Sequence, residues 1–538
     1  MTGTSALLAA VVGAPLLAGA FAGTAGPRLV AARLVGRICT AAAGLSLVLS
    51  IGLAVIVFRP GGEVATLGGP GSALALAGDR VGVTLLLLVG SVSTVVQAFA
   101  GRYLAGDSRA NWFSATVGLL TAASAALVTS GTLATFAICW SSAGIALWLL
   151  LGTYRQLPAA RVGQARTARA FLLGDTALWL AVVLASLEFG TVPLHELEPG
   201  RLSGHPATSS VIGCLVVLAA LSRSAQLPFA NWLPATLAAP TPVSALLHAG
   251  VVNAGGVLLI RLAPVVRPSA TAVTLAVVAG ALTTAYAGAL MLTKPDIKGG
   301  LAHSTMGQMG FMMMTCGLGL YAAGLFHLIA HGMYKASLFL SSGTQTRRVL
   351  RHAAAPPVPR RGRTRAAGAL AFAVAVPAAT LLGAQYLIAT DTRTASTTVL
   401  LIFAWASAAT ALHSWLRRAG GLSATLVFSA VIGVASLAYV WLVHTFGTAL
   451  RPALPAAGAT AGAVGVLLGT AVALAALSMF IRLAGRTRLT DLRESFYVRA
   501  LAAGQVEPAR SGPTTARRRM RVGVPHARFD LAGTGAAS

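Results

Sequence analysis

Apolar stretches long enough to be helices recur along the whole chain, separated by short polar or basic intervals. Each can cross the roughly 30 Å hydrocarbon core of a bilayer as an α-helix, which satisfies its own backbone polar groups. The stretches begin near residues 5, 31, 82, 112, 131, 168, 208, 241, 270, 299, 322, 366, 397, 422 and 459. The pattern predicts an all-α, polytopic bundle of about 13 to 15 transmembrane helices. We interpret the first stretch as a retained span rather than a signal peptide, because no basic segment precedes it.

Basic residues concentrate in every second interval between the stretches. The intervals after odd-numbered stretches contain Arg33, Arg155 and Arg161, for example, whereas the opposite intervals combine fewer basic residues with acids such as Glu63 and Glu196. Cytoplasmic loops of membrane proteins carry the excess of Lys and Arg. The sequence therefore predicts a multi-pass protein of the inner or plasma membrane, with its N-terminus outside and its C-terminus inside.

The composition excludes an ordinary soluble protein. Hydrophobic residues make up 56% of the chain and charged residues 10%, against about 25% charged in soluble domains. The formal net charge of +27 is spread over many short intervals, so we expect it to set topology and contact anionic lipid, not nucleic acid. The four cysteines lie at unrelated spacings in apolar stretches, which indicates packed thiols, and no metal-ligand or cofactor motif is expected.

Four prolines stand close together between two apolar stretches, namely Pro228, Pro234, Pro240 and Pro242. Proline removes a backbone donor and breaks a helix. Non-helical backbone at membrane depth is tolerated only against protein or a wet cavity, so the cluster predicts a broken helix near residues 228–242 at a conduction point. An ordinary tight loop between two spans would give the same pattern. We interpret Pro377, inside a later stretch, as a simple kink.

Several ionisable side chains fall inside the apolar stretches. They are Asp175, Arg223, His248, His303, His327, His331 and Lys335. Each costs at least about 2.5 to 3.5 kcal/mol on insertion scales and is therefore a functional candidate. The last three are four residues apart, which places them on one helix face, about 6 Å apart along the axis. Such a row suits proton relay because imidazole titrates near neutrality, although a single histidine is equally often a structural one.

Lysine is rare in this chain. Only Lys294, Lys298 and Lys335 occur among 40 Lys and Arg residues, so arginine supplies fixed positive charge almost everywhere else. A lysine inside a span then indicates proton release, which an arginine does not provide. The alternative for Lys335 is a side chain that snorkels from a helix end.

Four segments carry a family resemblance. They read SRSAQLPFANWLP at 222–234, APTPVSALLHAG at 239–250, LAHSTMGQMGF at 301–311 and FHLIAHGMYKASLFL at 326–340. Together they resemble the signature of the proton-conducting subunits shared by respiratory complex I and Mrp-type sodium/proton antiporters. His303, where complex I subunit L usually has an aromatic residue, makes the chain more similar to the DabB-like subunits of inorganic carbon uptake systems.

The resemblance implies an antiporter-like fold and an ion-translocating transporter subunit rather than an enzyme. A DabB-like subunit would conduct protons, or sodium ions, within an energy-coupled uptake complex for CO2 or bicarbonate. Its partner would be a DabA-like zinc-containing subunit that carries out the hydration chemistry. Two alternatives stay open. One is a proton-pumping subunit of a NADH-quinone oxidoreductase, of the subunit L type, or an Mrp-type antiporter subunit, and the other is a non-conducting scaffold.

The same resemblance assigns a proton path residue by residue. It comprises Asp175, Arg223, His248, Lys298, His303, His327, His331 and Lys335. Two positions depart from the family. Ser141 follows a tryptophan where relatives have glutamate, and Arg223 replaces a lysine. The first half-channel therefore lacks its usual titratable pair.

We divide the chain into five parts. They are N-terminal transmembrane helices at 1–130, a proton-conducting antiporter-like core at 131–346, a basic cytoplasmic loop at 347–365, C-terminal transmembrane helices at 366–485 and a basic cytoplasmic tail at 486–538.

The charge distribution gives a first testable prediction. A reporter that is active only in the cytoplasm, fused to the C-terminus, is expected to be active, because basic intervals face the cytoplasm. The same reporter fused after Glu63 is expected to be silent, which serves as the internal control. An active reporter after Glu63 with a silent one at the C-terminus would reverse the topology.

Overall fold

The computed structural model describes residues 3–24, 26–69, 72–190, 193–194, 206–291, 293–294, 296–343, 363–388, 395–418 and 422–454, together with a few isolated positions further on. The predicted basic loop at 347–365 lies almost wholly outside the described residues. So do the stretch near residue 459 and nearly all of the tail at 486–538.

Long α-helices dominate the described chain. In order they are α1 Gly3–Gly23, α2 Gly26–Leu29, α3 Ala32–Val57, α4 Arg80–Tyr103, α5 Ala110–Val128, α6 Leu133–Leu151, α7 Pro158–Phe189, α8 Pro206–Arg223, α9 Thr241–Ala249, α10 Ala254–Arg261, α11 Ala263–Val266, α12 Ala270–Met291, α13 Ile297–Gly317, α14 Tyr321–Leu340, α15 Arg363–Ile388, α16 Ala395–Arg418 and α17 Leu422–Leu450. Between α3 and α4 a small antiparallel hairpin pairs β1 Ala65–Leu67 with β2 Leu76–Gly78, with Ala65 opposite Gly78.

The helices confirm the predicted membrane bundle. Twelve stretches in the described residues are long and apolar enough to span a membrane. Helices α13 and α14 are as long, with 21 and 20 residues, but carry the polar motif residues. When these two helices are included, each predicted apolar stretch that begins at or before residue 422 corresponds to a helix in the structure.

One boundary differs from the sequence expectation. The stretch predicted to begin near residue 168 is part of a 32-residue helix, α7, which begins at Pro158. Arg161, predicted to lie in an interval between spans, lies in the first turn of this helix and is exposed. Proline is favoured in the first helical turn because its missing N–H would be unpaired there. The helix therefore starts ahead of the apolar pattern, which marks only its membrane part.

The proline cluster does interrupt helical structure. Helix α8 ends at Arg223, and residues 224–240 contain no α-helix, only two 3-10 turns, the second of which begins at Pro234. Pro240 is the N-cap of α9 and Pro242 lies in its first turn. A second interruption, which the sequence analysis did not predict, separates α9 from α10 at Gly250–Asn253. Pro377 lies inside the continuous helix α15, as the kink interpretation expected.

An ion pair fixes one end of the interrupted region. Asp79 caps α4 by accepting a hydrogen bond from the Gly82 amide at 2.7 Å. The same carboxylate pairs with Arg261 at the end of α10, with 2.9 Å between Nη2 and Oδ1, and Arg261 also donates to the Val128 carbonyl. The pair therefore ties α4, α5 and α10 together. Neither Asp79 nor Arg261 is among the functional candidates predicted from the sequence.

Helices α12 and α13 cross at a pair of glycines. A Cβ added at Gly280 would meet the carbonyl oxygen of Gly310 at 2.5 Å, and a Cβ at Gly310 would meet that of Gly280 at the same distance. Small residues let membrane helices approach closely and gain van der Waals contact. This crossing sets the distance between α12 and the helix that carries Ser304 and Gln308.

The crossing predicts a specific sensitivity to added volume. Gly310→Ala is expected to destabilise the purified protein by about 1 to 3 kcal/mol, because the methyl group would overlap a backbone oxygen that has no space to move into. Gly300→Ala on the same helix is the matched control, since a Cβ there meets nothing within 4 Å. Thermal unfolding in detergent measures both. Equal melting temperatures for the two variants would contradict the close crossing.

Candidate functional site

One face of α14 forms the centre of the candidate site. His327 and His331 lie one turn apart, with ring centroids 5.8 Å from each other and nearly parallel planes. Lys335 lies one further turn along and is only 1% exposed. The structure therefore places the predicted row of three side chains on a single face that is turned into the protein.

Lys335 is held by neutral oxygen atoms. Its Nζ donates to the Ser304 hydroxyl at 2.9 Å and lies 3.5 Å from the Leu301 carbonyl oxygen, both on α13. Among the described residues no carboxylate forms an ion pair with this amine. A buried ammonium without a counter-ion is costly in a membrane, which makes this position a candidate functional site.

His331 connects α14 to two other helices. Its Nδ1 lies 2.5 Å from Oε1 of Gln308 on α13, and its Nε2 lies 3.2 Å from the backbone carbonyl oxygen of His248 on α9. A neutral imidazole has only one N–H, whereas a protonated ring has two and satisfies both oxygens. Rotation of the Gln308 amide, which exchanges its oxygen and nitrogen, would pair equally well with the neutral ring. Both protonation states of His331 are therefore accommodated.

His248 occupies the end of α9, just before the interruption at Gly250. Its ring stacks on Phe339 with centroids 4.3 Å apart and an interplanar angle of 12°, and it is 1% exposed. Its Nδ1 has no hydrogen-bond partner among the described residues. A buried imidazole nitrogen without a partner is a free position for a proton or a water molecule.

A second cluster surrounds Arg223 at the end of α8. Its Nη2 pairs with Oδ1 of Asp175 on α7 at 2.7 Å, and the same oxygen accepts a hydrogen bond from Trp140 at 2.7 Å. The guanidinium lies between the rings of Trp140 and Phe171, at 4.5 and 4.1 Å from their centroids. Ser141 is not part of this cluster. Its hydroxyl accepts a hydrogen bond from the indole N–H of Trp179. Arg223 is thus a buried, permanently charged and fully paired group, not a proton-releasing one.

Lys298 and His303 each have a backbone carbonyl as hydrogen-bond partner. Lys298 lies at the start of α13, and its Nζ is 3.4 Å from the Ala239 carbonyl oxygen in the connection before α9. His303 is buried, and its Nδ1 lies 2.8 Å from the Gly299 carbonyl oxygen on its own helix. No hydrogen bond in the described part of the chain links either residue to His331 or Lys335. Both residues stay in the proton path that the family resemblance predicts.

A cavity of about 80 Å³ lies beside Arg223, and we call it the central cavity. Its lining includes Arg223 and Ala143 on one side and Asn253 and Gly250 on the other, with α4 and α5 completing the wall. Most of the lining side chains are Leu, Val and Ala. Cavities with apolar walls stay dry unless polar groups hold the water. Sequence reasoning missed Ser304, Gln308 and Asn253, although all but Asn253 lie within the quoted motifs.

No group of three metal-ligating side chains is present in the residues the structure describes.

Comparison with known proteins fits this geometry. Residues 130–354 match the family model described as NADH:quinone oxidoreductase/Mrp antiporter, transmembrane. This segment is similar to the transmembrane domain of that family. It contains every residue of the predicted proton path and both interruptions of helical structure.

Relatives of known sequence fall into two groups. The chain is 38% identical over 288 residues to the probable inorganic carbon transporter subunit DabB1 of Halothiobacillus neapolitanus, which covers 52% of this chain and 51% of that protein. It is 36% identical over 276 residues to NAD(P)H-quinone oxidoreductase chain 5 of a Synechocystis species, covering 49% and 40% of the two chains. The chain spans about half the length of the curated relatives it matches.

Solved structures extend the likeness beyond this domain. The Mrp complex from Dietzia contains a chain similar over 94% of the present one and 52% of its own length, with 26% identity and a TM-score of 0.57. A chain of an archaeal membrane-bound sulfane sulfur reductase shares the fold at 16% identity and a TM-score of 0.56. Together with the helices described above, these findings show a multi-pass membrane protein with an antiporter-like fold.

The buried pair of Asp175 and Arg223 gives a prediction on stability. Asp175→Leu is expected to destabilise the protein by about 3 to 5 kcal/mol, because it leaves a buried guanidinium without its counter-ion. The double variant Asp175→Leu with Arg223→Met is expected to recover most of that loss, since neither charge remains. Thermal unfolding in detergent measures both, with Glu63→Leu, an exposed acid, as the control. An Asp175→Leu protein as stable as the control would contradict the pairing.

Proposed function

We propose that this chain is the ion-conducting membrane subunit of an energy-coupled inorganic carbon uptake complex. It conducts protons, or sodium ions, down their gradient and pairs with a DabA-like zinc-containing subunit, which carries out the chemistry on CO2 or bicarbonate. The similarity to DabB proteins from two organisms supports this assignment. The zinc chemistry is assigned to the partner because the described residues of this chain supply no ligand set.

Burial of Lys335 without a carboxylate is the observation that carries the proposal. The amine is anchored by the Ser304 hydroxyl and the Leu301 carbonyl, groups that accept hydrogen bonds but do not neutralise a charge. The protonated amine keeps two oxygen partners at a considerable cost in low dielectric, whereas the neutral amine avoids that cost. Neither state is locked. A group held between two states is what a proton-coupled step requires.

The histidines give the proton a route away from Lys335. His331 lies one helical turn away, and its ring meets Gln308 on one side and the carbonyl of His248 on the other. A proton that reaches one ring nitrogen can leave from the other, because imidazole accepts at one nitrogen and donates at the second. His327 extends the row in one direction, and His248, with its free Nδ1, lies across the helix interface.

Arg223 takes a different role in this scheme. It is fully paired with Asp175 and enclosed by two aromatic rings, so it provides a fixed charge at the edge of the central cavity. A fixed positive charge in a narrow passage repels protons and metal cations alike, and the paired carboxylate of Asp175 offsets that repulsion here. We assign it an electrostatic function, with the pair acting as a support for the neighbouring cavity.

The alternative function is that of an Mrp-type antiporter subunit or of a subunit L in a NADH-quinone oxidoreductase. The similarity to a chain of the Dietzia Mrp complex over 94% of this chain favours it. Purification of the tagged chain from its native membrane separates the two. A co-purifying large zinc protein supports the uptake complex, whereas co-purifying redox or multi-subunit antiporter components support the alternative.

The proposal predicts that Lys335→Arg abolishes coupling. A guanidinium satisfies the need for positive charge but does not release its proton, so charge alone is insufficient. The measurement is growth at ambient CO2 of a host that lacks carbonic anhydrase and expresses this chain with its partner. We expect at least a tenfold loss of growth yield for Lys335→Arg and for Lys335→Ala at unchanged protein abundance.

Lys294→Arg is the matched control, because it makes the same replacement at the end of a loop rather than inside the bundle. It is expected to grow like the unmodified chain. Full rescue by Lys335→Arg would overturn the relay and leave a structural or snorkelling role for that lysine.

A further inference from the structure

Gln308 is the residue of α13 that meets the ring of His331. Its Oε1 lies 2.5 Å from Nδ1 of the ring, and it stands one turn along α13 from Ser304, which bonds Lys335. The proton path predicted from the sequence does not include it, because its side chain is neutral. An amide neither takes up nor releases a proton at ordinary pH, so Gln308 does not act as a carrier beside this titratable ring.

The other ring nitrogen of His331 faces a group that only accepts hydrogen bonds. Its Nε2 lies 3.2 Å from the backbone carbonyl oxygen of His248. Helix α9 ends at Ala249, and the last carbonyls of a helix have no partner within it, so the interruption at Gly250 leaves this oxygen available. A backbone carbonyl has no proton to give. Nε2 therefore keeps its proton in every state in which this contact is made.

Nδ1 of His331 is then the nitrogen whose protonation changes. Turning the ring over would set carbon atoms against both oxygens, so the two contacts fix its orientation. In the doubly protonated ring, Nδ1–H donates to Oε1 of Gln308. In the neutral ring Nδ1 is an acceptor, and the Gln308 amide has to turn by about 180° so that its NH2 group donates instead. One amide thus serves both states with its opposite ends.

We propose that Gln308 is a rotating gate that confines proton exchange on His331 to Nδ1. The inference rests on the proposed ion-conducting function and adds a positioning residue that controls one of its steps. It refines the route drawn above, because the ring takes up and releases its proton at the same nitrogen.

The exchange step balances without any proton on the amide. Either end of the Gln308 side chain covers Nδ1 of His331, so the proton is exchanged while the amide turns away. A hydrated proton gives its proton to the Nδ1 lone pair and leaves as water. The ring keeps its Nε2–H and becomes imidazolium, and the amide returns with its oxygen toward the new N–H. Release is the reverse of these steps.

The surroundings of His331 leave this amide as the adjustable group. The titratable side chains that act on the ring are His327 and Lys335 on its own helix and His248 on α9, and none of them is a carboxylate. From α4, the apolar side chain of Leu88 packs close to the backbone of α14 one residue further along. A neutral amide therefore supplies the hydrogen bond at Nδ1 without holding the ring in its charged form, as a carboxylate would.

A purely structural hydrogen bond is the simpler interpretation. A neutral ring protonated on Nδ1 would donate to Oε1 of Gln308 and would need no gate. In that tautomer the bare Nε2 of His331 would face the His248 carbonyl oxygen, so two acceptors would lie 3.2 Å apart with no proton between them. The ring is only 4% exposed, and a buried polar atom without a partner is costly.

The pH dependence of proton flux tests the gate in vesicles that contain the complex. Gln308→Glu favours the imidazolium, so the pH of half-maximal flux is expected to rise by about one unit or more. Gln308→Met removes the acceptor of its Nδ1–H, so that pH is expected to fall by about half a unit or more. A role in structure alone would lower flux at every pH without moving the midpoint, and unmoved midpoints in both variants would overturn the gate.

Thr315→Val is the matched control for these variants. It removes a buried hydroxyl from the same helix, where Thr315 bonds the carbonyl of Met312. The pH of half-maximal flux is expected to stay as in the unmodified chain. Thermal unfolding in detergent shows for each variant that the protein is folded.

The second measurement observes the ring itself and needs no transport. The complex is prepared with isotopically labelled histidine, and the nitrogen signals of His331 are identified by their absence in His331→Gln. Solid-state NMR then distinguishes Nδ1–H from Nε2–H. The neutral ring is expected to carry its proton on Nε2, and Gln308→Glu is expected to keep the doubly protonated ring to a pH about one unit higher or more. A neutral ring protonated on Nδ1 would overturn the gate.

The two measurements separate the gate from the proposed function. A complex that conducts no protons would overturn the ion-conducting function, whatever the NMR signals of His331 show. A complex that conducts protons while its neutral His331 carries the proton on Nδ1 would overturn the gate alone.

Discussion

The structure depends on one constraint: backbone polar groups inside a bilayer need partners within the protein. Regular helices meet it automatically, but residues 224–240 and 250–253 do not. Here side chains supply the partners. Thr283 accepts from the Leu227 amide at 3.0 Å, Ser224 donates to the Val252 carbonyl at 2.7 Å, and Trp232 donates to the Ser222 carbonyl at 3.0 Å. Because the bond from Ser224 joins the two interruptions to each other, it also ties together the segments that follow Arg223 and His248.

The two charged clusters then differ in a way that follows from their partners. Arg223 has a carboxylate and two aromatic rings, so its charge is compensated and its position is rigid. Lys335 has a hydroxyl and a carbonyl, so its charge is solvated but not compensated. In hydrocarbon surroundings, loss of a proton lowers the free energy of an uncompensated amine such as Lys335 but not that of a paired guanidinium such as Arg223. The ion pair therefore lies on α7 and α8, whereas the uncompensated amine lies on α14.

Sequence reasoning predicted the elements better than their contacts, and the reason is physical. Apolar windows are local and long, so the spans and the row on α14 follow from periodicity alone. The start of α7 was missed because a helix continues beyond the bilayer where apolarity no longer marks it. Asp79 and Arg261 are 182 positions apart in the chain. A local sequence pattern does not predict that two such distant residues form an ion pair. The interruption at Gly250 lacks a proline, and the positions of Lys298 and His303 depend on rotamers that spacing does not determine.

The central cavity lies where helices on both sides of the first interruption meet. Its walls come from α4, α5, α6, α8 and the interrupted span of α9 and α10, and Arg223 is the charged residue among those that line it. Because Asp175 pairs with Arg223 at 2.7 Å, the two charges largely cancel at this wall. The guanidinium is held between the rings of Trp140 and Phe171 and keeps its proton. The pair is therefore a fixed part of the wall, in contrast to the uncompensated amine of Lys335.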